Sequence, residues 1–440
     1  MARFAGLDLP WLFYLRSMSN NTHASPLPTN ARLRKPWLRP IAVALSGFSF
    51  LACAVFSDAN PAVEVPAQQD GGSADTTAAD FVKPSPRLEI FTQFHTGFDD
   101  NSQTTSNKSG AWFTSEQVSL SYHLPSRDLQ LNLDAGLGFS DYAGERSNAD
   151  GFISLGLARS FSHRLTLSAS IFASYQAEPN FAENVGPDRV RGNYFNTNNN
   201  IALSYALAPR LSLVSSFSLQ LVRYENNATA LFADRQSYGF GEQLRFALTR
   251  NTVVTGDYRL LLVDYVTAPF DSTAHFALAG VEHQFSRHLS GQLRAGASIR
   301  FPSIGDTQTN PDFEWSLNYT YGRDQLSWTG SYSIEQGTER FIEDRTTFRT
   351  GVLYSRTLTA RLSGSLAFFY HHDRNQQVIP PFLIGPSFDE DALSATATVR
   401  YAVNQRFSID AGIAHSQILS AMNNREYSRN HYSFGMSYKF

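Results

Sequence analysis

The stretch Leu289-Ser290-Gly291-Gln292-Leu293-Arg294-Ala295-Gly296-Ala297-Ser298-Ile299-Arg300-Phe301 decides the fold. Leu289, Leu293, Ala295, Ala297, Ile299 and Phe301 share one parity with Gly291, while Ser290, Gln292, Arg294, Gly296, Ser298 and Arg300 hold the other. Successive side chains of a strand point to opposite faces, so this segment has one greasy and one hydrophilic side. Leu129, Leu131, Leu133, Ala135, Leu137 and Phe139 alternate with Gln130, Asn132, Asp134, Gly136 and Gly138 in the same way. So do Leu165 to Ala173, and Leu326 to Ile334. Helical spacing is absent from Arg87 onward.

A water-soluble sandwich also alternates, but its strands average about five or six residues, and its wet face usually carries Lys, Glu and Thr. These segments approach the roughly 9–11 residues that a tilted transmembrane strand needs. Their polar face is Ser, Thr, Gly, Asn and Gln with scattered Arg and Asp, which suits a wet lumen. Composition agrees. Of 440 residues, 17% are charged, 42% hydrophobic and 13% aromatic, against about 25% charged in an ordinary globular chain. That is too few charges for a water-facing surface and too many aromatics for disorder. No run after the amino-terminal region reaches the ~18 apolar residues of a spanning helix. The pattern predicts an all-β, antiparallel up-and-down transmembrane β-barrel.

The connections count the strands. Eight are very short, among them Ala208-Pro209-Arg210, Ser286-Arg287-His288 and Gly322-Arg323-Asp324. Nine longer ones, rich in Asn, Asp, Gly and Pro, alternate with them, such as 99–110, 177–192, 226–235 and 372–391. Seventeen connections give about 18 strands, with short turns and both chain ends on the periplasmic side and longer loops outside. Within 372–391 the apolar run 378–385 is expected to fold into the lumen or against the rim, since it would not lie free in water.

Residues 1–59 read as an amino-terminal extension and signal peptide. The basic cluster Arg32, Arg34, Lys35 and Arg39 precedes the apolar stretch Ile41 to Ala54, and small residues follow. Residues 60–86 are rich in Ala, Asp, Thr, Ser and Pro without periodicity and read as a disordered periplasmic linker. The barrel occupies 87–440. Loss of 1–59 removes six of 36 Lys/Arg and two of 39 Asp/Glu. The remaining chain is moderately acidic, with no electrostatic reason to hold nucleic acid. Its one cysteine, Cys53, lies in the signal.

At the other end, Tyr432, Phe434, Met436, Tyr438 and Phe440 share one face. Tyr438 and the final Phe440 resemble the carboxy-terminal signal read by the outer-membrane barrel assembly machinery. Aromatics near strand ends, including Tyr205, Tyr321, Trp328 and Tyr401, fit interfacial girdles. Arg245, Arg259, Arg294, Arg300, Arg349, Arg361 and Arg400 fall on lumen parity, as do Asp134, Asp257, Glu314, Glu335 and Asp410. These pore-lining candidates either brace the wall in pairs or tune the passage of solutes, and no single-sign ladder announces an ion filter.

Gly97-Phe98-Asp99-Asp100-Asn101 resembles the aromatic-Asp-Asp-Asn signature opening the β-barrel porin family of the second type, outer-membrane proteins linked to exopolysaccharide export. Phe98 stands for the usual Tyr, and Ser102 for an apolar residue. The resemblance implies a porin that serves polysaccharide export. Read as residues alone, Asp99-Asp100-Asn101 is equally a strand-ending turn whose Asx side chains bond their own backbone.

An enzyme at the barrel rim is a further alternative. No Gly-x-Ser-x-Gly, His-Glu-x-x-His, P-loop or Cys pair occurs. His371-His372-Asp373 reads as solvated loop, because adjacent strand residues point apart and cannot share one ion. The sequence therefore implies no catalytic residue, metal or cofactor. It predicts a passive channel for small polar solutes or saccharides in outer-membrane lipid, or else a non-conducting structural or surface-interaction barrel.

Overall fold

The computed structural model describes residues 87–440 except 127, 145, 177–192, 226–233, 337–341, 380–382 and 422–425. The expected signal peptide and linker lie outside the described residues. The strands are β1 (Arg87–Asp99), β2 (Ala111–Pro125), β3 (Leu129–Tyr142), β4 (Arg146–Ser162), β5 (Leu165–Gln176) and β6 (Tyr194–Ala208). Then come β7 (Leu211–Tyr224), β8 (Arg235–Ala247), β9 (Thr252–Tyr265), β10 (Ser272–Ser286), β11 (Leu289–Pro302) and β12 (Gln308–Tyr321). The last are β13 (Asp324–Gln336), β14 (Ile342–Thr357), β15 (Leu362–Ile379), β16 (Leu383–Ala402), β17 (Phe407–Ser420) and β18 (Tyr427–Lys439). Each pairs antiparallel with its sequence neighbour. β18 returns to β1, from Phe91 opposite Lys439 to Asp99 opposite His431, so the 18-stranded sheet closes on itself. The strand count read from the connections is the observed one.

The two faces are inverted relative to a water-soluble protein. On β11, Leu293 is 58% and Phe301 47% exposed, whereas Arg294 and Arg300 are 3% and 2% exposed. The polar face is the concave one. Arg259 on β9 reaches Glu314 on β12 at 2.6 Å, over two intervening strands, and strands lie about 4.8 Å apart. Only on the inside of a curved wall do side chains span that width. The apolar residues are therefore turned outward, and on β18 they are Tyr432, Phe434, Met436, Tyr438 and Phe440. Tyr205, Tyr321, Trp328 and Tyr401 are exposed on the same outer face. A continuous apolar belt of this size is an aggregation surface in water and a solvated one in hydrocarbon.

One end of the barrel carries the tight turns. Gly322 opens the two-residue β12–β13 turn with φ +60°, a left-handed conformation that glycine adopts without strain. The other end departs from the sequence expectation in two places. Residues 372–391 are not a loop, because β15 runs to Ile379 and β16 starts at Leu383, with Ile379 paired to Leu383. A register shift between Gln376 and Val378 lets the hairpin pass Pro386, and prolines are tolerated in strands at such bulges. The apolar run 378–385 is thus divided between two paired strand ends, and the centre of the expected plug, 380–382, lies outside the described residues. The connection 143–145 is also short, so short and long joints do not alternate strictly.

Leu293 gives a direct check on the inverted faces. Leu293→Arg is close to neutral for a residue exposed to water, but in the middle of a lipid-facing wall it should cost about 2–4 kcal/mol. Urea unfolding from lipid vesicles measures the difference.

Candidate functional site

The lumen wall is built around a band of ion pairs on β8 to β15. Arg245 on β8 holds Glu282 on β10 through Nη1 at 2.9 Å and Nη2 at 2.6 Å. Arg294 on β11 lies among Asp257 at 3.8 Å, Glu282 at 3.5 Å and Glu314 at 3.4 Å, and Glu314 also takes both arms of Arg259. Farther round, Glu335 receives Arg349 and, at 3.3 Å, Arg345, which also meets Asp373 at 3.3 Å. Arg300 donates to the Glu335 carbonyl at 3.1 Å and to Ser272 Oγ at 2.9 Å. Long guanidinium stems lie flat along the wall only where a neighbour has no side chain. A Cβ at Gly280 would sit 2.6 Å from Arg294 Cγ and 2.7 Å from Thr255 Oγ1. The paired charges are tolerated at this depth because each meets an opposite one.

Near the loop end the inner face turns apolar. Leu261, Val263 and Tyr265 share lumen parity with Asp257 and Arg259. The β9–β10 connection folds over them: Phe270, 1% exposed, packs edge-on to Tyr265, with Ala268 and Ile304 completing the cluster. Asp271 fixes this connection by accepting the Tyr265 N–H at 2.8 Å. Ser303 adds its N–H to the Asp271 carbonyl and its hydroxyl to the Pro269 carbonyl. Residues 266–271 form a lumen-side inward fold that the sequence reading did not assign.

The Asp99-Asp100-Asn101 motif forms a clasp between the first and last strands. Asp99 is fully buried and accepts two bonds from Arg429 on β18, one of them from Nε at 2.7 Å. Its other oxygen accepts the Asn101 N–H at 2.9 Å, the Asx turn anticipated from sequence. Asp100 accepts from the Asn430 N–H at 2.6 Å, the Asn430 amide at 2.7 Å and Lys108 at 2.9 Å. Asn101 donates to the Ser428 carbonyl at 3.0 Å. Phe98 packs at 5.4 Å against Trp112. A second tie, His95 to Asp410 at 2.8 Å, joins β1 to β17 across Gly435 of β18.

The other sequence candidates scatter. Asp134 takes Ser121 on β2 and stands apart from the band. Arg400 and Asp410 lie near the turn end; Arg400 bonds Ser408 and Ser437. Arg361 is a correction, because it sits exposed in the 358–361 turn, where the strand has not begun and parity has no meaning. His371 and His372 belong to strand β15, not to a loop. As adjacent strand residues they diverge, His371 inward beside Asp373 and His372 to Asp391 on the opposite face. Tyr438 packs on Phe440, whose N–H bonds the Ile90 carbonyl at 3.0 Å. Glu282, Arg345 and Arg429 were missed, although Arg345 shares its strand and parity with Arg349.

No family model matches the chain, and no curated protein matches it. Among solved structures, it is similar to the copper transporter OprC, at 12% identity and TM-score 0.42 over 80% of this chain and 76% of that one. OccK2 of Pseudomonas aeruginosa, solved with glucuronate, gives 10% identity and TM-score 0.43 over 81% and 98%. OpdK of Pseudomonas aeruginosa, solved with vanillate, gives 12% and 0.41 over 80% and 98%.

Asp99→Asn should destabilise the closed barrel by about 3–5 kcal/mol, the cost of removing one charge of a buried ion pair. The temperature at which the compact gel band converts to the unfolded one reports it. Burial pushes the Asp100 carboxyl up, but Asn430 and Lys108 outweigh this and hold it below the ordinary aspartate value. A carboxyl with a depressed folded value contributes stability above its unfolded pKa, about 4, and loses it as pH falls through the folded value. The conversion temperature should therefore fall below about pH 4, and fall less in Asp100→Asn.

Proposed function

We propose that the chain forms an outer-membrane channel for passive passage of small polar solutes, with both chain ends periplasmic. The carrying observation is the inverted wall: a closed apolar exterior around an inner face of buried arginines, carboxylates, amides and hydroxyls. Such an inner face suits a water-filled core, and a water-filled core admits polar solutes. The arginines are matched by carboxylates within the band, so the wall presents strong local dipoles without a net sign. That arrangement favours dipolar or uncharged polar solutes, saccharides among them, over either simple ion. In this reading Arg245, Arg259, Arg294, Arg300 and Arg349, with Asp257, Glu314 and Glu335, both brace and line the passage. A link to exopolysaccharide export has the support of the Gly97–Asn101 resemblance, and Tyr438 and Phe440 serve as the signal for the barrel assembly machinery.

The apolar cluster around Phe270 favours a second reading, in which the mouth is too narrow to conduct and the barrel is a surface platform. Swelling of proteoliposomes in isosmotic sugars of graded size separates the two. The channel reading expects swelling with small sugars and a size cut-off that widens in Phe270→Ala. No swelling in either protein, with the barrel folded, overturns it.

A further inference from the structure

We infer that the outer face of β6 to β11 is covered by a second copy of this chain, packed about a twofold axis along the membrane normal. The inference rests on the reading that lipid covers the rest of the outer face. Glu242 points outward from the middle of β8. Phe246 and Leu244 lie on the same face toward the turn end, and Phe240 and Tyr238 toward the loop end. Glu242 is exposed, as are Phe240, Leu244 and Phe246. Ser215 Oγ donates to Glu242 Oε2 at 2.8 Å, and among the described residues Oε1 has no partner. Tyr258 stands opposite Glu242 on β9, also outward, and its hydroxyl bonds His275 Nδ1 on β10 at 2.8 Å. The outward residues of β3, by contrast, run Leu129, Leu131, Leu133, Ala135, Leu137 and Phe139. An ionisable side chain at this depth is costly against hydrocarbon and calls for a polar partner.

Two features name the occupant. The first is depth. Val253 at the foot of β9 pairs with Glu282, which lies well above the foot of β10 at Ser286, so paired rows climb the wall. Ser215, Glu242, Tyr258 and His275 therefore form a file that rises toward the loop end. A copy inserted in the same direction carries the same file at the same depth. A twofold axis beside the file sets the Ser215 and Tyr258 hydroxyls of the second copy on either side of Glu242. The second feature is shape. On one flank of the file Ile201, Leu203, Phe217 and Phe240 stand out from β6 to β8. On the other, Gly256, Ala277, Ala279, Ala295 and Ala297 leave the outer face of β9 to β11 nearly bare. A Cβ at Gly256 would meet nothing within 4 Å. In a twofold contact, a residue that meets another is met by it in return. The axis thus lays the bulky flank of each copy on the bare flank of the other. Acyl chains would fill the bare flank but leave the carboxylate without a donor.

The test uses the full chain with Cys53→Ser, folded into phosphatidylcholine vesicles, with the compact gel band as the check on folding. Bismaleimidoethane should cross-link Glu242→Cys to a dimer. Leu137→Cys, outward on β3, should stay monomeric at the same protein density. Phe240→Cys and Ala277→Cys proteins folded together should give a mixed dimer through the opposed flanks. Energy transfer between dye-labelled copies, without cross-linker, reads the association itself. Its constant should fall at least tenfold in Glu242→Leu, on the file, and in Ala279→Trp, on the bare flank. Equal cross-linking of Leu137→Cys and Glu242→Cys would report chance collision and overturn the interface. A ladder beyond the dimer, or no mixed dimer, would overturn the twofold arrangement. A folded barrel that stays monomeric, or association untouched by both substitutions, overturns the second copy alone. A chain that is soluble without detergent and gives no compact band overturns the lipid-facing wall and this inference with it.

Discussion

Hydrocarbon offers a peptide group nothing to bond to, and the rest of the molecule depends on that. Every amide in the wall must find its partner in a neighbouring strand, which forces an antiparallel sheet long enough to meet its own beginning. Closure then fixes the side chains. With period two, one face is committed to lipid and the other to water along every strand, and a one-residue slip would exchange them. The contact between Asp99 and Arg429, fully buried at the junction of first and last strands, guards against such a slip where the two partners are farthest apart in sequence.

The inner wall obeys the same economy of partners. Arg245, Arg259, Arg294, Arg345 and Arg349 end on carboxylates one to three strands away, and Arg259 and Arg294 pass over glycines. In the proposed channel, mutual neutralisation leaves the wall without a preference for one sign of ion. The apolar patches near the loop end, around Phe270, around Phe113 and around Ile418, are the exceptions.

Strand identity, the strand count and the direction of each wall residue were legible in sequence because they depend only on parity and on short turns. Partners were not. Arg259 meets Glu314 and Arg429 meets Asp99 through barrel stagger and closure, which link positions 55 and 330 residues apart. The motif at Asp99-Asp100-Asn101 was visible, and its local Asx turn was foreseen, but its grip on β18 was hidden for the same reason. Residues 372–391 misled because Pro, Asn and Asp read as loop when a bulge let the hairpin continue. The inward cluster left a trace, since Leu260-Leu261-Leu262-Val263 is apolar on both parities where the lumen side of a strand should be polar. Arg361 shows the limit of the method, because parity was extended one residue beyond the strand that defined it.

The ion pairs and buried ties run from β8 round to β18 and β1, whereas among the described residues the side-chain links within β2 to β7 are hydrogen bonds rather than ion pairs. The circumference therefore has a stiff arc and a compliant one. A ring built this way does not breathe evenly. Tension or crowding in the surrounding leaflet bends the soft arc first, so the opening changes from round to oval along one axis, and the packing of the bilayer becomes a control on its bore.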